Sequence, residues 1–242
     1  PHPSLSLLLP GLTLTPISLS NFPELYCHKA SGTAPITFSQ ALSHDLLFFS
    51  PSSSHLIQYF DDLLLHSPSY KSSQQDTFLL LQHLFSKGHR TSPSKAQISS
   101  SSVTCLDIIL HKNTHALPAD CACLISQTPT PSTKQQLISF LDMVKYFCLW
   151  IPGFAILTKP LYKLTKGNLA DPIDPRSFPH SSFRSLKTAL EAAPTLALSN
   201  SSNPFSLHTA EVQGCAVRIL TQEPGPRPAA FLSKQLDLTV LA

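Results

Sequence analysis

Hydrophobic and polar positions change period along this chain, and the changes mark its elements. Phe38, Ala41, Leu42 and Leu46 fall at i, i+3, i+4 and i+8, which predicts a helix over 34–46 with Pro35 near its first turn. The stretch Gln58-Tyr59-Phe60-Asp61-Asp62-Leu63-Leu64-Leu65 follows, with apolar residues on both sides of two carboxylates. It predicts one strand entering a turn and another leaving it. Successive side chains alternate faces along a strand, so Asp61 and Asp62 cannot share one polar face. A tight turn removes the conflict and exposes at least one carboxylate at the hairpin tip. Phe78, Leu81, Leu84 and Phe85 predict a second helix over 74–84, ended by Gly88. Residues 103–110 read as one short strand, alternating first and apolar at its end.

Thr128-Pro129-Thr130-Pro131 breaks the pattern, and Ser132 or Thr133 caps the next helix. Its apolar face is Leu137, Phe140, Leu141, Val144, Phe147 and Cys148, and it runs to the break Ile151-Pro152-Gly153-Phe154. Phe183, Leu186, Leu190 and Ala193 mark a further helix before Pro194. Residues 204–207, 216–222 and 229–234 read as strands, with Pro224-Gly225-Pro226 as the loop. Residues 1–24 are mostly Ser, Leu, Pro and Thr. The run is too short and too interrupted by proline to span a membrane, and it lacks the basic flank of a signal peptide. Loose N-terminal packing is expected there.

Composition narrows the function classes. Charged residues are 13% of the chain, against about 25% in ordinary soluble domains, and the net charge is +3. That balance gives only weak support to phosphate binding. The cysteines Cys27, Cys105, Cys121, Cys123, Cys148 and Cys215 form no secretory framework, which points to an intracellular setting, cytoplasmic or nuclear. Cys105, His111, His115, Cys121 and Cys123 match no zinc-finger spacing. No Gly-x-Ser-x-Gly elbow or phosphate-cradling glycine loop is present. The single methionine is Met143, so a fragment of a longer reading frame is expected.

A carboxylate pair flanked by leucine and isoleucine needs a reason, because burying an unpaired carboxylate costs several kcal/mol or forces protonation. A solvated turn is one reason. A hard divalent cation, which takes carboxylate oxygens plus substrate phosphates, is another.

Tyr59-x-Asp61-Asp62 inside a predicted hairpin resembles the catalytic turn of reverse transcriptases, and its flanks are similar to the gammaretroviral version. Residues 31–46 resemble the palm segment before that turn. The run from Pro129 through Leu137 and Leu141, then Leu149-Trp150-Ile151-Pro152-Gly153-Phe154 and Lys159-Pro160-Leu161-Tyr162-Lys163-Leu164-Thr165, resembles the retroviral thumb. The resemblance, to the Pol polyprotein of an endogenous gammaretrovirus-like element, covers about residues 27–242. It implies an α+β fold: a partial reverse transcriptase palm (27–118), a helical thumb (119–195) and the start of an RNase-H-like connection domain (196–242), after a poorly ordered segment 1–26.

The same resemblance implies an RNA-directed DNA polymerase. Asp61 and Asp62 would hold Mg²⁺ or Mn²⁺, and Tyr59, Phe60 and Lys95 would lie near the primer and nucleotide. An RNA–DNA or DNA template-primer is the implied partner; Lys159, Lys163, Lys166, His180 and Arg184 read either as contacts to its phosphate backbone or as a solvated helix face. No membrane partner is implied, and the oligomeric state is open. Several positions depart from the family. Cys27-His28-Lys29-Ala30 stands where relatives carry Leu-Pro-Gln-Gly, and Glu24 is the only acidic residue before Asp45. Relatives usually carry a hairpin that holds the primer end at 103–110, and Cys105 and Asp107 stand where its aromatic residue and glycine are usual; Asp142 and Lys145 replace glycines. The expected outcome is an impaired polymerase. The other readings are a non-enzymatic nucleic-acid-binding remnant and a translation product without function.

Overall fold

An apolar run flanked in sequence by Pro3 and Pro10 forms the first strand, β1 (Leu5–Leu9). In this computed structural model the described residues are 5–9, 13–14, 34–200, 202–223 and 227–237. Loose packing was expected of the N-terminal segment, and for residues 5–9 that expectation is corrected. The prolines bracket the run rather than interrupt it, so its backbone donors and acceptors complete a sheet. The chain divides into two units, Pro1–Lys112 and Asn113–Ala242.

In the first unit, β1 is followed by β2 (Thr13–Leu14), helix α1 (Ala34–Leu46), β3 (His55–Tyr59) and β4 (Asp62–Ser67). Helix α2 (Tyr70–Ser86), β5 (His89–Arg90), β6 (Gln97–Ser100), β7 (Ser102–Cys105) and β8 (Ile108–His111) complete it. The main sheet is antiparallel with order β3-β4-β1-β6, and β1 pairs with β4 from Leu5↔Ser67 to Leu9↔Leu63. Alternation along β4 sends Leu63 and Leu65 inward, where both are fully buried with Leu42 of α1 and Leu80 and Leu84 of α2. Helix α2 starts earlier than its apolar spacing suggests, because Ser69 caps it by accepting from the Ser72 amide. Gly88, at φ 81°, supplies the left-handed residue just beyond its end.

Two buried carboxylates tie this unit together. Asp76 accepts from the Ser52 amide (2.9 Å), the Ser53 amide (3.2 Å) and the Ser54 hydroxyl (2.6 Å), fixing the loop that feeds β3. Burial alone would raise its carboxyl, but the bonds from Ser54, Ser52 and Ser53 together hold it below the ordinary 3.8. Asp45, at the end of α1, lies 2.8 Å from Nε2 of buried His89. Burial pushes that imidazole below its ordinary value, more strongly than Asp45 raises it.

The second unit begins with β9 (Thr114–Ala116), helix α3 (Ala119–Gln127), helix α4 (Lys134–Tyr146) and a 3₁₀ turn, Cys148–Trp150. Helices α5 (Phe154–Leu164) and α6 (His180–Glu191) and strands β10 (Leu196–Ala197), β11 (Phe205–Val212), β12 (Cys215–Gln222) and β13 (Pro228–Gln235) follow. Thr133 caps α4 by accepting from the Gln136 amide. The inward faces of α4 and α6 meet where the Phe140 and Phe183 rings lie 4.6 Å apart, beside buried Leu137, Leu141 and Leu186. Gly153, at φ 65°, lets the chain turn into α5. β11, β12 and β13 form an antiparallel sheet, and the Ser233 hydroxyl of β13 accepts from the Ala155 amide (2.8 Å).

Helix α3 was not foreseen, since its short Cys-rich sequence has no clear apolar stripe. Lys187 holds its far end by donating to the carbonyls of Ser126 (2.9 Å) and Thr128. Among the described residues, no helix is long and apolar enough to cross a membrane.

Candidate catalytic turn and nucleic-acid interface

The aspartate pair lies where alternation requires a turn. Tyr59 pairs with Asp62 across the hairpin, and Phe60 and Asp61 are the two turn residues. Phe60 takes φ 50°, a left-handed value at a position that favours glycine. Asp61 and Asp62 are both half-buried, whereas Tyr59 and Phe60 are exposed, their rings edge-to-face at 5.0 Å. The tip therefore carries two half-buried carboxylates and two exposed aromatic rings.

One side chain that the sequence reading passed over fixes this tip. The Gln58 amide nitrogen donates to the Phe60 carbonyl (2.9 Å) and to the Ser39 carbonyl in α1 (3.0 Å). Its amide oxygen accepts from the Ser43 hydroxyl of α1 (2.8 Å). A glutamine after the apolar pair Leu56-Ile57 and directly before the tyrosine was the available signal. Gln58 holds the turn against α1 while the turn itself carries an unfavourable φ.

Residues 103–110, read as one strand, form a second hairpin, and this is a correction. β7 and β8 pair from Ser102↔His111 to Cys105↔Ile108, with Leu106 and Asp107 turning at φ 51° and 56°. The apolar run Ile108-Ile109-Leu110 follows the alternating start without a glycine, asparagine or proline between them, so the turn left no mark in the sequence. This hairpin and the first enclose a cavity of about 250 Å³, lined by Ile57, Tyr59, Asp62, Leu64, Cys105 and Ile108 among others. Burial pushes the Cys105 thiol up, and the Asp62 charge adds to that shift. The structure thus brings Tyr59, Phe60, Asp61 and Asp62 together on one tip.

Lys95 sits apart from them in the sequence of elements, exposed in the loop between β5 and β6. Lys159 and Lys163 lie one helical turn apart on α5, and Lys166 follows just past its end. Lys163 and Lys166 are exposed. Lys159 is half-buried, and its Nζ lies 3.5 Å from the Gln213 carbonyl in the β11–β12 turn. Among the described residues, no group of three or more His, Cys, Asp or Glu side chains converges to hold a metal ion. Cys27, His28, Lys29, Ala30 and Glu24 lie outside the described residues, as does the Pro224-Gly225-Pro226 loop.

The comparison with known proteins decides the family. The chain is 42% identical over 209 residues to the Gag-Pol polyprotein of avian reticuloendotheliosis virus and 41% identical over 208 residues to that of baboon endogenous virus. It is 40% identical over 208 residues to the Pol polyprotein of feline endogenous virus ECE1. Each match covers 84% of the chain. This chain belongs to the gammaretrovirus-like Pol family. It spans 18%, 12% and 20%, respectively, of those relatives' lengths.

Among solved structures, this Pol segment resembles a foamy viral protease-reverse transcriptase in complex with double-stranded DNA. The TM-score is 0.74 at 18% identity, covering 85% of this chain and 36% of that one. A foamy viral protease-reverse transcriptase with an RNA/DNA hybrid matches at TM-score 0.71 and 19% identity, covering 85% and 28%. The fold of the Pol segment is accordingly the α+β fold of a reverse transcriptase. No family model matches it.

Proposed function

We propose that this Pol segment is the palm end, thumb and start of the connection of a reverse transcriptase, and that it grips a template-primer with an incomplete metal centre. The observation that carries the reading is the β3–β4 tip, which holds half-buried Asp61 and Asp62 together with exposed Tyr59 and Phe60. Two carboxylates on one turn suit Mg²⁺ or Mn²⁺, which complete their shells with water and substrate phosphates. Bound there, such ions would stabilise charge on the attacking and leaving oxygens of nucleotidyl transfer. Asp61 supplies ligand oxygens, Asp62 supports them, and Gln58 keeps the tip in place. Tyr59 and Phe60 offer aromatic surface to the primer end, while Lys159, Lys163 and Lys166 face the duplex phosphates. The bound nucleic acids named for the foamy viral structures support an RNA–DNA or DNA duplex as the partner.

Impairment is the reading for these 242 residues taken alone, and it rests on their donor set. A two-ion centre needs carboxylates from separate segments, because one turn does not hold both ions. Within these 242 residues the only acidic residue before Asp45 is Glu24, in a setting unlike the family's upstream palm strand. Cys27-His28-Lys29-Ala30 replaces the motif that lines the nucleotide pocket in relatives. Cys105, Cys121, Cys123, Cys148 and Cys215 are free thiols, in keeping with a cytoplasmic or nuclear setting.

Primer extension with Mg²⁺ or Mn²⁺ tests the catalytic half of the reading. The expected result is no product above that of Asp61→Asn; extension that Asp61→Asn abolishes would overturn the impairment. Duplex binding tests the other half. Affinity should fall steeply with salt, and the slope should flatten when Lys159, Lys163 and Lys166 are changed to alanine. Binding indifferent to salt would reject the nucleic-acid role.

A further inference from the structure

We propose that His55 and His66 form a binding site for a late transition-metal dication, Cu²⁺, Ni²⁺ or Zn²⁺, that clips the open end of the β3–β4 hairpin. The two residues are direct partners in the register, at the opposite end of the ladder from Tyr59↔Asp62. Directly opposed residues share a face, with Cβ atoms about 4.5–5.5 Å apart. That spacing lets two imidazoles occupy adjacent positions on one ion. Alternation settles which face it is. Leu63, Leu65 and Ser67 point into the core, so His66 points outward, and both histidines are exposed.

The second observation is what the other histidines do. His83 and His89 bond to Asp45, His111 to the Ser101 carbonyl, and His208 approaches the Thr221 hydroxyl. His44, His115 and His180 pack edge-on against Phe48, Trp150 and Phe178. Among the described histidines, only the side chains of His55 and His66 make no hydrogen bond, ion pair or ring contact, and these two are partners in the register. Their nitrogen lone pairs are open to a ligand.

Donor chemistry selects the ion. Neutral imidazole suits copper, nickel and zinc, with Cu²⁺ bound most tightly, whereas Mg²⁺ and Mn²⁺ prefer carboxylate oxygen. No third His, Cys, Asp or Glu of the described residues joins the pair, so water fills the remaining positions. Four register steps separate this pair from the turn, roughly 13 Å at the usual rise per residue. The site is therefore distinct from the acidic tip and independent of the polymerase reading.

The test is a titration of the full chain with Cu²⁺ and with Zn²⁺ in a non-coordinating buffer, followed by calorimetry and, for Cu²⁺, by electron paramagnetic resonance. One ion with coupling to two nitrogens is expected, together with a metal-dependent rise in the thermal midpoint. His55→Ala and His66→Ala should each weaken binding at least tenfold, and the double variant should be little worse than either, since one histidine no longer chelates. His66→Gln provides a milder change should His66→Ala disturb the strand. Asp61→Asn should bind as tightly as the parent. Unchanged affinity in the histidine variants, loss in Asp61→Asn, or no binding beyond that of the double variant would overturn the proposal.

Discussion

Two hairpins of the first unit turn through two residues each, and neither places glycine at a left-handed position. Phe60 does this at φ 50° between β3 and β4, while Leu106 and Asp107 do it at 51° and 56° between β7 and β8. A glutamine braces each one. Gln58 ties the first tip to α1, and Gln97 makes a two-point clamp on Thr104, donating to its carbonyl (3.0 Å) and accepting from its amide (2.9 Å). What lies beneath differs. β4 drives Leu63 and Leu65 into the core, whereas Ile108, Ile109 and Leu110 of β8 are only half-buried. The comparison teaches that an awkward turn is tolerated for two different reasons. In the first hairpin two fully buried leucines of β4 overdetermine it; in the second a single buried side chain, Val103 of β7, is joined by local bonds and a turn geometry near the favoured two-residue type.

The largest expected effect separates the two hairpins directly. Leu65→Ala should cost about 2–5 kcal/mol of unfolding free energy by opening a cavity in a dense core. Ile109→Ala should cost less than half as much, and equal losses in urea unfolding would erase the distinction. Next comes the support below the first hairpin. Asp76→Ala strands three donors and should cost about 2–3 kcal/mol. Because the folded carboxyl sits below 3.8, its stabilisation is complete above pH 3.8 and is lost as pH falls through the lower folded value. The parent should therefore show an acid-induced loss there that Asp76→Ala lacks, as read by circular dichroism against pH. The smallest effect sharpens the second hairpin. Asp107→Gly, at a left-handed position, should gain about 0.5–1 kcal/mol, measured as a higher denaturant midpoint. A loss would mean that the Asp107 side chain stabilises the turn more than its backbone strains it.

These contrasts also explain what the sequence made legible. The tip of the first hairpin could be read because adjacent carboxylates break strand alternation. The core of α4 and α6 could be read because Leu137, Phe140, Leu141, Phe183 and Leu186 keep helical spacing. The second hairpin could be expected only from the family resemblance and not from its own residues, since Cys105, Leu106, Asp107 and Ile108 include no Gly, Asn or Pro to mark a turn. β1 was hidden because Pro3 and Pro10 flank a run of only five residues, which reads as disruption in the sequence. At the site, the aspartates were visible from their chemical type alone. The brace from Gln58 was not, because it depends on α1 lying against the hairpin, a relation that no local window contains.

β11 has a practical consequence for anyone handling this molecule in solution. All eight of its residues are exposed, and it is the outermost strand of its sheet among the described residues. Phe205 and Leu207, 47% and 52% accessible, share one side of it. An unguarded rim of amides and carbonyls next to greasy side chains is a template for sticking. Concentrated stocks should cloud with time, and a lysine placed midway along the strand, such as Leu207→Lys, should keep them clear.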